Sequence, residues 1–321
     1  MSTLLLTREH ISQLITMPET LSAVENAFSA YAEGAAGMPP KAYLTLDKGD
    51  FRAMPASVPG AAGVKWINVH LGNSAIGLPS IMGLIVYSDP ETGYPLAIMD
   101  GTEITAFRTG AAAAIASRYL ARAGSRTLGL VGAGHQADTQ IEAHLEYFSF
   151  DDIRVFDLDP SAVTKLAARF PELPIHPAGL EATCGADIVC TLTPATRPYV
   201  KYEWLKPGAH VNAIGADAPG KQELTTELLS RVTVIVDDVY QATHAGELNV
   251  AVSAGLFQAS DIFATLGELT SGRKRLESPV GDGITIFDST GLAIQDIACA
   301  RYIYDKACLA GMGQACDLIG V

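Results

Sequence analysis

The sequence predicts an α/β protein: a doubly wound parallel sheet joined to a discontinuous α+β domain assembled from both ends of the chain. Three observations predict it. From residue 127 onward, short apolar runs alternate with helical segments, the pattern of βα units that cover both faces of a parallel sheet. Between residues 42 and 100, runs of strand character are joined by connections too short for crossover helices, which calls for antiparallel hairpins. A last helix follows the last strand and can return to the first domain. The expected division is 1–122 with 290–321, and 123–289. With 321 residues, 48% of them hydrophobic and 18% charged, the chain can build two cored domains.

Residues 7–34 read as helical, with Thr7 as N-cap and Pro18 in the first turn of a second helix. Leu21, Val24, Phe28 and Tyr31 form its apolar stripe. Strands follow at 42–46, 51–54, 63–70, 81–87 and 95–99, with turns at Asp47–Asp50 and Asp89–Gly93. Residues 103–122 form a long Ala-rich helix whose small side chains suit close packing. Beyond it, strands are expected at 127–131, 153–157, 186–193, 210–215, 232–237 and 284–288. Helices are expected at 138–148, 160–169, 223–231 and 259–271, a loop over Arg273–Gly283, and a final helix at 292–309.

Composition narrows the function. A net charge of −13 argues against a nucleic-acid or anionic-membrane surface. No apolar run has the length of a spanning helix, and the first residues lack the pattern of a signal peptide. Five cysteines without C-x-x-C spacing read as reduced thiols of a cytoplasmic protein, with no structural zinc or other metal site expected.

The strand Thr127–Val131 ends in Gly132-Ala-Gly-His-Gln-Ala137, a helix follows, and the next strand ends in Asp157. This is the Rossmann-type dinucleotide fingerprint with Ala in the third glycine position. Gly132 permits the tight turn, and Gly134 keeps no side chain between backbone and pyrophosphate. Ala137 lets helix and strand pack closely. The turn and helix start, with His135 and Gln136, present N–H groups to the phosphates. Asp157 can accept from both ribose hydroxyls and would repel a 2′-phosphate, which favours NAD over NADP unless Arg154 turns inward.

Ligands of an open parallel sheet sit beyond the carboxyl ends of its strands. The turns Thr191-Leu-Thr193-Pro194 and Ala213-Ile214-Gly215-Ala216-Asp217 should therefore face the nicotinamide half. Asp217 is either an acid over the reacting carbon or a turn-forming Asx residue. The first domain carries cations in apolar surroundings: Lys41, Arg52, Lys65 and Arg108. Buried, each needs an anion, from the protein or from a ligand. Several converging would bind a carboxylate, and their proximity would lower the Lys65 pKa toward the range useful in proton transfer. His70 and His244 are isolated and read as structural.

The segments Met38-Pro-Pro-Lys41, Phe51-Arg-Ala-Met-Pro55, Gly63-Val-Lys-Trp-Ile-Asn68, Phe107-Arg-Thr-Gly110, Ile214-Gly-Ala-Asp-Ala-Pro-Gly-Lys-Gln-Glu-Leu224 and Ile286-Phe-Asp-Ser-Thr-Gly-Leu-Ala-Ile-Gln-Asp296 together resemble the ornithine cyclodeaminase/mu-crystallin family, over nearly the whole chain. Within it they are most similar to the archaeal-type alanine dehydrogenase branch. The resemblance implies a homodimer formed through the first domain, with NAD(H) held by the second. It implies that Lys41, Lys65 and Arg108 hold a substrate carboxylate, that Arg108, Thr109 and Ser80 touch the cofactor, and that Ser289 and Thr290 line the substrate. Asp217 matches the family's proton donor and acceptor. Where ornithine cyclodeaminases carry Glu two residues before Met-Pro, this chain has Arg52, which would repel a distal ammonium. Gly-Leu-Ala-Ile-Gln-Asp296 likewise replaces their Gly-Phe-Ala-Leu-Glu-Asp. The implied activity is an NAD-dependent L-alanine dehydrogenase with Lys65 and Asp217 as proton-handling groups. The alternatives are ornithine cyclodeamination to proline, cyclic ketimine reduction, or a binding protein that keeps the cofactor site.

Overall fold

A computed structural model describes residues 2–276 and 283–320. The chain divides into two compact units, Met1–Arg108 with Leu292–Val321, and Thr109–Gly291. The first unit opens with β1 (Thr3–Leu6), α1 (Arg8–Leu14) and α2 (Met17–Ala32). Thr7 caps α1 reciprocally with His10, and Pro18 lies in the first turn of α2. Leu21, Val24 and Phe28 are buried, as the stripe requires. Next come β2 (Ala42–Leu46), β3 (Gly49–Val58), β4 (Ala61–Val69), β5 (Ile81–Ser88) and β6 (Pro95–Asp100), paired in sequence as antiparallel hairpins. The Ala-rich helix is α3 (Thr102–Leu120). The unit boundary falls inside it, at Arg108, rather than after residue 122. Thr105 and Arg108 bond into the first unit, whereas a Cβ on Gly110 would strike the carbonyl of Thr139 in the second.

The second unit holds β7 (Thr127–Val131), α4 (His135–Leu145), β8 (Asp152–Phe156), α5 (Pro160–Arg169), β9 (Ile175–Pro177), α6 (Leu180–Cys184), β10 (Ile188–Thr191), β11 (His210–Ala213), α7 (Thr226–Leu229), β12 (Thr233–Val236), α8 (Val239–Ala245), α9 (Asn249–Ser253), β13 (Ala264–Thr265), α10 (Leu266–Thr270) and β14 (Thr285–Asp288). All eight strands are parallel, in the order β9-β8-β7-β10-β11-β14-β12-β13. The winding reverses between β7 and β10, which places a crevice beyond their carboxyl ends. Helix α4 starts at His135, three residues before the expected Asp138. The helix expected at 223–231 shrinks to α7, because the N–H groups of Glu223 and Leu224 are taken by Glu247. The one expected at 259–271 resolves into a 3-10 turn, β13 and α10. Of the loop expected at Arg273–Gly283, residues 277–282 lie outside the described residues. The unit ends at Gly291 rather than 289, since Thr290 and Gly291 both donate backbone N–H to Asp237.

The chain returns to the first unit as α11 (Ala293–Ala310) and β15 (Gln314–Cys316). The first sheet then reads β15-β1-β6-β5-β4-β3-β2, with β1 parallel to β6. Helices α11 and α2 pack together, and α11 lies against β3, β4 and β5. Alternation along those strands turns Arg52, Met54, Lys65, Ile67 and Ile85 into the buried layer. The register sets Met54 opposite Lys65 and Lys65 opposite Ile85. On the alternate positions Leu44, Trp66 and Leu84 are about half exposed. Among the described residues no helix is long and apolar enough to cross a membrane.

Inside the second unit a polar chain runs through the core. His144 Nε2 lies 2.8 Å from Ser117 Oγ, Asn212 Nδ2 donates to the same hydroxyl, and the Asn212 carbonyl meets His210 Nε2 at 3.2 Å. His210 Nδ1 lies 2.9 Å from Thr285 Oγ1. Burial pushes the two imidazoles down from an ordinary value of 6.5 to about 4 for His144 and about 3 for His210. A base with a depressed folded pKa contributes its stability above the unfolded pKa and loses it as pH falls below. The fold should therefore lose on the order of a few kcal/mol per histidine between pH 6.5 and the folded values. Urea midpoints measured down to pH 4.5 check this. His144→Gln, which cannot take up a proton, should show a shallower decline than the wild type.

Candidate active site

In the first unit the buried cations meet on one acid. Lys65, at the centre of β4, is wholly buried, and its Nζ lies 2.7 Å from Asp296 Oδ2. Arg108 Nε donates to Asp296 Oδ1 at 3.2 Å, and Arg108 Nη1 donates to the Gln295 carbonyl at 3.1 Å. Thr105 Oγ1 lies 3.3 Å from Lys65 Nζ. Desolvation pushes the Lys65 amine from 10.5 down to about 7; Asp296 opposes the shift, while Arg108 and Lys41 add to it. A lysine so placed exchanges its proton near neutrality, unlike a surface lysine.

Arg52, also in the buried layer, forks onto Asp50, with Nε 2.8 Å from Oδ1 and Nη2 3.2 Å from Oδ2, and its guanidinium lies over the Tyr43 ring. The anion demanded by its burial is thus supplied by the protein. Lys41 stands just before β2, half-buried. Ser80 precedes β5, and its carbonyl accepts the His70 N–H at 2.8 Å, closing the end of the β4–β5 pairing.

In the second unit the fingerprint lines a cavity of about 520 Å³ formed by Val131, Gly132, Gly134, Asp157, Leu192, Thr193 and their neighbours. Gly132 has φ +108°, a conformation strained for any L side chain. At Gly134 a Cβ would project into open space, the room a phosphate needs. Asp157 Oδ2 accepts the Ala133 N–H at 2.7 Å and Oδ1 accepts the Asp159 N–H at 2.8 Å, so the carboxylate is fixed at the cavity rim. Arg154 is held elsewhere, by Asp152 and the Ala182 carbonyl. Among the described residues, none of those lining the cavity is Lys or Arg. His135 is exposed in the first turn of α4 and Gln136 is half-buried beside it. These residues fit an adenine dinucleotide with an unphosphorylated ribose.

The turn after β11 carries Ile214, Gly215 and Ala216, of which Ala216 is wholly buried, and then Asp217, partly exposed and 2.5 Å from Lys221 Nζ. Glu223 holds this turn and the one after β10 together. It accepts from Gly215 N at 2.9 Å, Thr193 N at 2.8 Å, and the hydroxyls of Thr191, Thr193 and Tyr199. Glu247 accepts the N–H groups of Glu223 and Leu224, and Asp288 accepts those of Glu247 and Leu248. Burial raises the pKa of both glutamates. Ser289 and Thr290 are buried at the end of β14; the Thr290 hydroxyl donates to Asp237. Thr109 is buried in α3.

The family model for the ornithine cyclodeaminase/mu-crystallin family matches residues 1–310. This chain belongs to that family. Among its relatives is the alanine dehydrogenase of Archaeoglobus fulgidus, 47% identical over 98% of each chain. The fold is similar to the solved structure of an archaeal alanine dehydrogenase dimer with bound NAD, with a TM-score of 0.97 and 46% identity over 99% of this chain and 100% of that one. It is also similar to the Thermococcus litoralis Δ(1)-pyrroline-2-carboxylate reductase solved with NADH and L-proline, with a TM-score of 0.93 and 33% identity over 97% and 99%. NAD or NADH is thus bound in solved members of the ornithine cyclodeaminase/mu-crystallin family at high similarity.

The structure brings Lys65 and Arg108 together on Asp296, and Gly132, Gly134, Asp157 and Thr193 together around one cavity. Asp296, Gln295, Glu223 and Asp288 lie inside the motifs of the family resemblance yet, like Glu247 and Asp237, have no role predicted from the sequence. Two of these were open to inference. Asp237 and Asp288 stand at the ends of apolar strands, as Asp157 does. Glu223 and Glu247 carry no local signal, because all their partners but Gly215 lie 23 or more residues away.

Proposed function

We propose that this protein is an NAD-dependent L-alanine dehydrogenase that interconverts L-alanine and water with pyruvate and ammonia. One observation carries the reading: a wholly buried lysine with a pKa near 7, set between Arg108 and Asp296. The identity with the Archaeoglobus enzyme over nearly the full length supports the choice of substrate. In this reading Met1–Arg108 with Leu292–Val321 binds substrate and forms the dimer, and Thr109–Gly291 binds the cofactor. The carboxylate of alanine is bound by Lys41, Arg52, Lys65 and Arg108, with Ser289 and Thr290 against the rest of the substrate. Gly132, Gly134, His135, Gln136, Asp157, Thr193 and the 214–217 turn hold the dinucleotide, helped by Ser80, Arg108 and Thr109. Bound NAD supplies the acceptor for the hydride lost from the α-carbon. Lys65 takes the proton from the amine, and Asp217 serves the water that hydrolyses the resulting substrate imine.

The decisive experiment follows NADH oxidation with pyruvate plus ammonia, pyruvate alone, and pyrroline-2-carboxylate. Ammonia-dependent oxidation with pyruvate is expected. Rapid reduction of the cyclic imine without a pyruvate signal would instead make this a ketimine reductase, the activity of its Thermococcus relative. Repeating the assay with NADPH should give a Michaelis constant at least about tenfold higher, because the fixed Asp157 carboxylate meets a 2′-phosphate with like charge.

The dimer is proposed to form through the outer face of the first sheet. There Trp66 stacks on Phe51 at 5.2 Å, and Leu44, Trp66 and Leu84 put about half-exposed apolar side chains on one face, the kind of patch that marks a protein interface. Leu84→Glu should shift the protein from dimer to monomer in light scattering. An unchanged mass would move the interface elsewhere. The five free thiols, three of them buried, suit a reducing cytoplasm.

A further inference from the structure

Gln295 has an orientation that its partners dictate. Arg108 Nη1 and the backbone N–H of Leu292 both point at the same amide atom, at 3.1 and 3.2 Å. Each is a donor with no acceptor capacity, so that atom is the carbonyl oxygen. The amide nitrogen is thereby fixed as well. It is buried and has no hydrogen-bond partner among the described residues. An unmet buried donor is rare and calls for an explanation.

The charge count around it is equally specific. Lys65 and Arg108 share the single carboxylate of Asp296. With Lys65 protonated the trio carries one net positive charge, and a glutamine beside Arg108 leaves that charge standing. The position touches Arg108 through an oxygen that a glutamate would also offer, so neutrality rather than hydrogen bonding distinguishes the residue present.

We propose that Gln295 is a positioning residue that orients Arg108 without neutralising it, keeping this cluster one charge positive for a substrate carboxylate. The carboxylate then completes the pairing that Asp296 alone leaves short. The inference rests on the proposed function only in taking a carboxylate as the ligand.

The groups facing Lys65 are Asp296, Arg108, Thr105, Lys41 and the Cys299 thiol, whose pKa burial keeps well above ordinary. A second carboxylate at position 295 would act on this set in a predictable direction. It would cancel the spare charge and stabilise the Lys65 ammonium.

The test compares wild type, Gln295→Glu and Gln295→Met in steady-state kinetics across pH. For Gln295→Glu the KM for pyruvate should rise about tenfold or more, and the kcat/KM limb assigned to Lys65 should move to higher pH. The KM for NADH should stay put. Gln295→Met keeps the net charge but releases Arg108, so KM for pyruvate should rise while the limb stays in place. A merely structural Gln295 would lower thermal stability and leave both KM and the limb unmoved, and that result overturns the proposal. If Gln295→Glu does not fold, an unchanged KM in Gln295→Met overturns it alone. A wild type inactive on pyruvate and active on pyrroline-2-carboxylate would sink the alanine reading but not this one, since the same comparison runs on that carboxylate.

Discussion

Lys65→Met is expected to give a folded, NAD-binding protein whose turnover is lower by about a thousandfold, within the range attributed to a positioned proton-transfer group. The side chain is central to β4, wholly buried, and its amine is the group in the cluster that exchanges a proton near neutrality. Arg108 still holds Asp296 Oδ1 in the variant, so the acid is not left alone. The pH dependence follows in sign. As a base for alanine oxidation Lys65 must be neutral, so the wild-type rate should climb through pH about 7. The same amine, protonated, serves reductive amination, which should decline above that pH. Stability should rise with pH together with the oxidation rate, and against reductive amination. The folded pKa is lowered, so between about 7 and 10.5 the unfolded chain binds the proton more tightly, and the buried lysine costs stability that rising pH restores. Methionine removes the cost, and the variant's melting temperature at pH 7 should exceed that of the wild type, with the gain shrinking toward pH 10.5. A variant as active as the wild type would remove Lys65 from the chemistry.

What was legible in the sequence was local. The glycine turn and Asp157 span 26 residues and occupy one cavity, as their spacing requires. The hairpins of the first sheet follow from connections of two to eleven residues, too short for a crossover helix. The pairing of Arg52 with Asp50 was missed, because Asp50 is expected in the turn 47–50 but lies in β3, where residues two apart share a face. The partners of Lys65 and Arg108 were not. Asp296 lies 188 residues from Arg108, and no periodicity in either segment indicates that they meet. The same holds for Glu223 and Glu247, whose backbone partners are set by how two turns and two short helices come together. Helices α8 and α9 run seven and five residues, below the length at which an apolar stripe repeats. Strands β1 and β15 pair at the sheet edge across nearly the whole chain, beyond the reach of any turn signal.

Asp217→Asn is expected to keep NAD binding while turnover falls by about a hundredfold or more. The surroundings of Asp217 bear on this role and on the alternative of a turn-forming residue. The neighbouring backbone has anchors of its own. Glu223 holds the Gly215 N–H, the Ile214 N–H bonds to the Thr191 carbonyl, and Ala216 is wholly buried. Gly220 is tied by its N–H to Asn249. Asp217 is thus a partly exposed acid on a turn anchored at both ends, and its paired group is Lys221. If the acid acts on the substrate, the Lys221 pairing only steadies it, and Lys221→Met should cost a few-fold at most. If instead the pair braces the turn, either substitution breaks it equally, and Lys221→Met should lose as much turnover as Asp217→Asn and weaken NAD binding besides. Measuring kcat and the NADH dissociation constant for both variants therefore decides between them. The carboxamide is nearly isosteric with the carboxylate, so a large kcat loss confined to Asp217→Asn reports the missing charge and proton site rather than a misplaced loop.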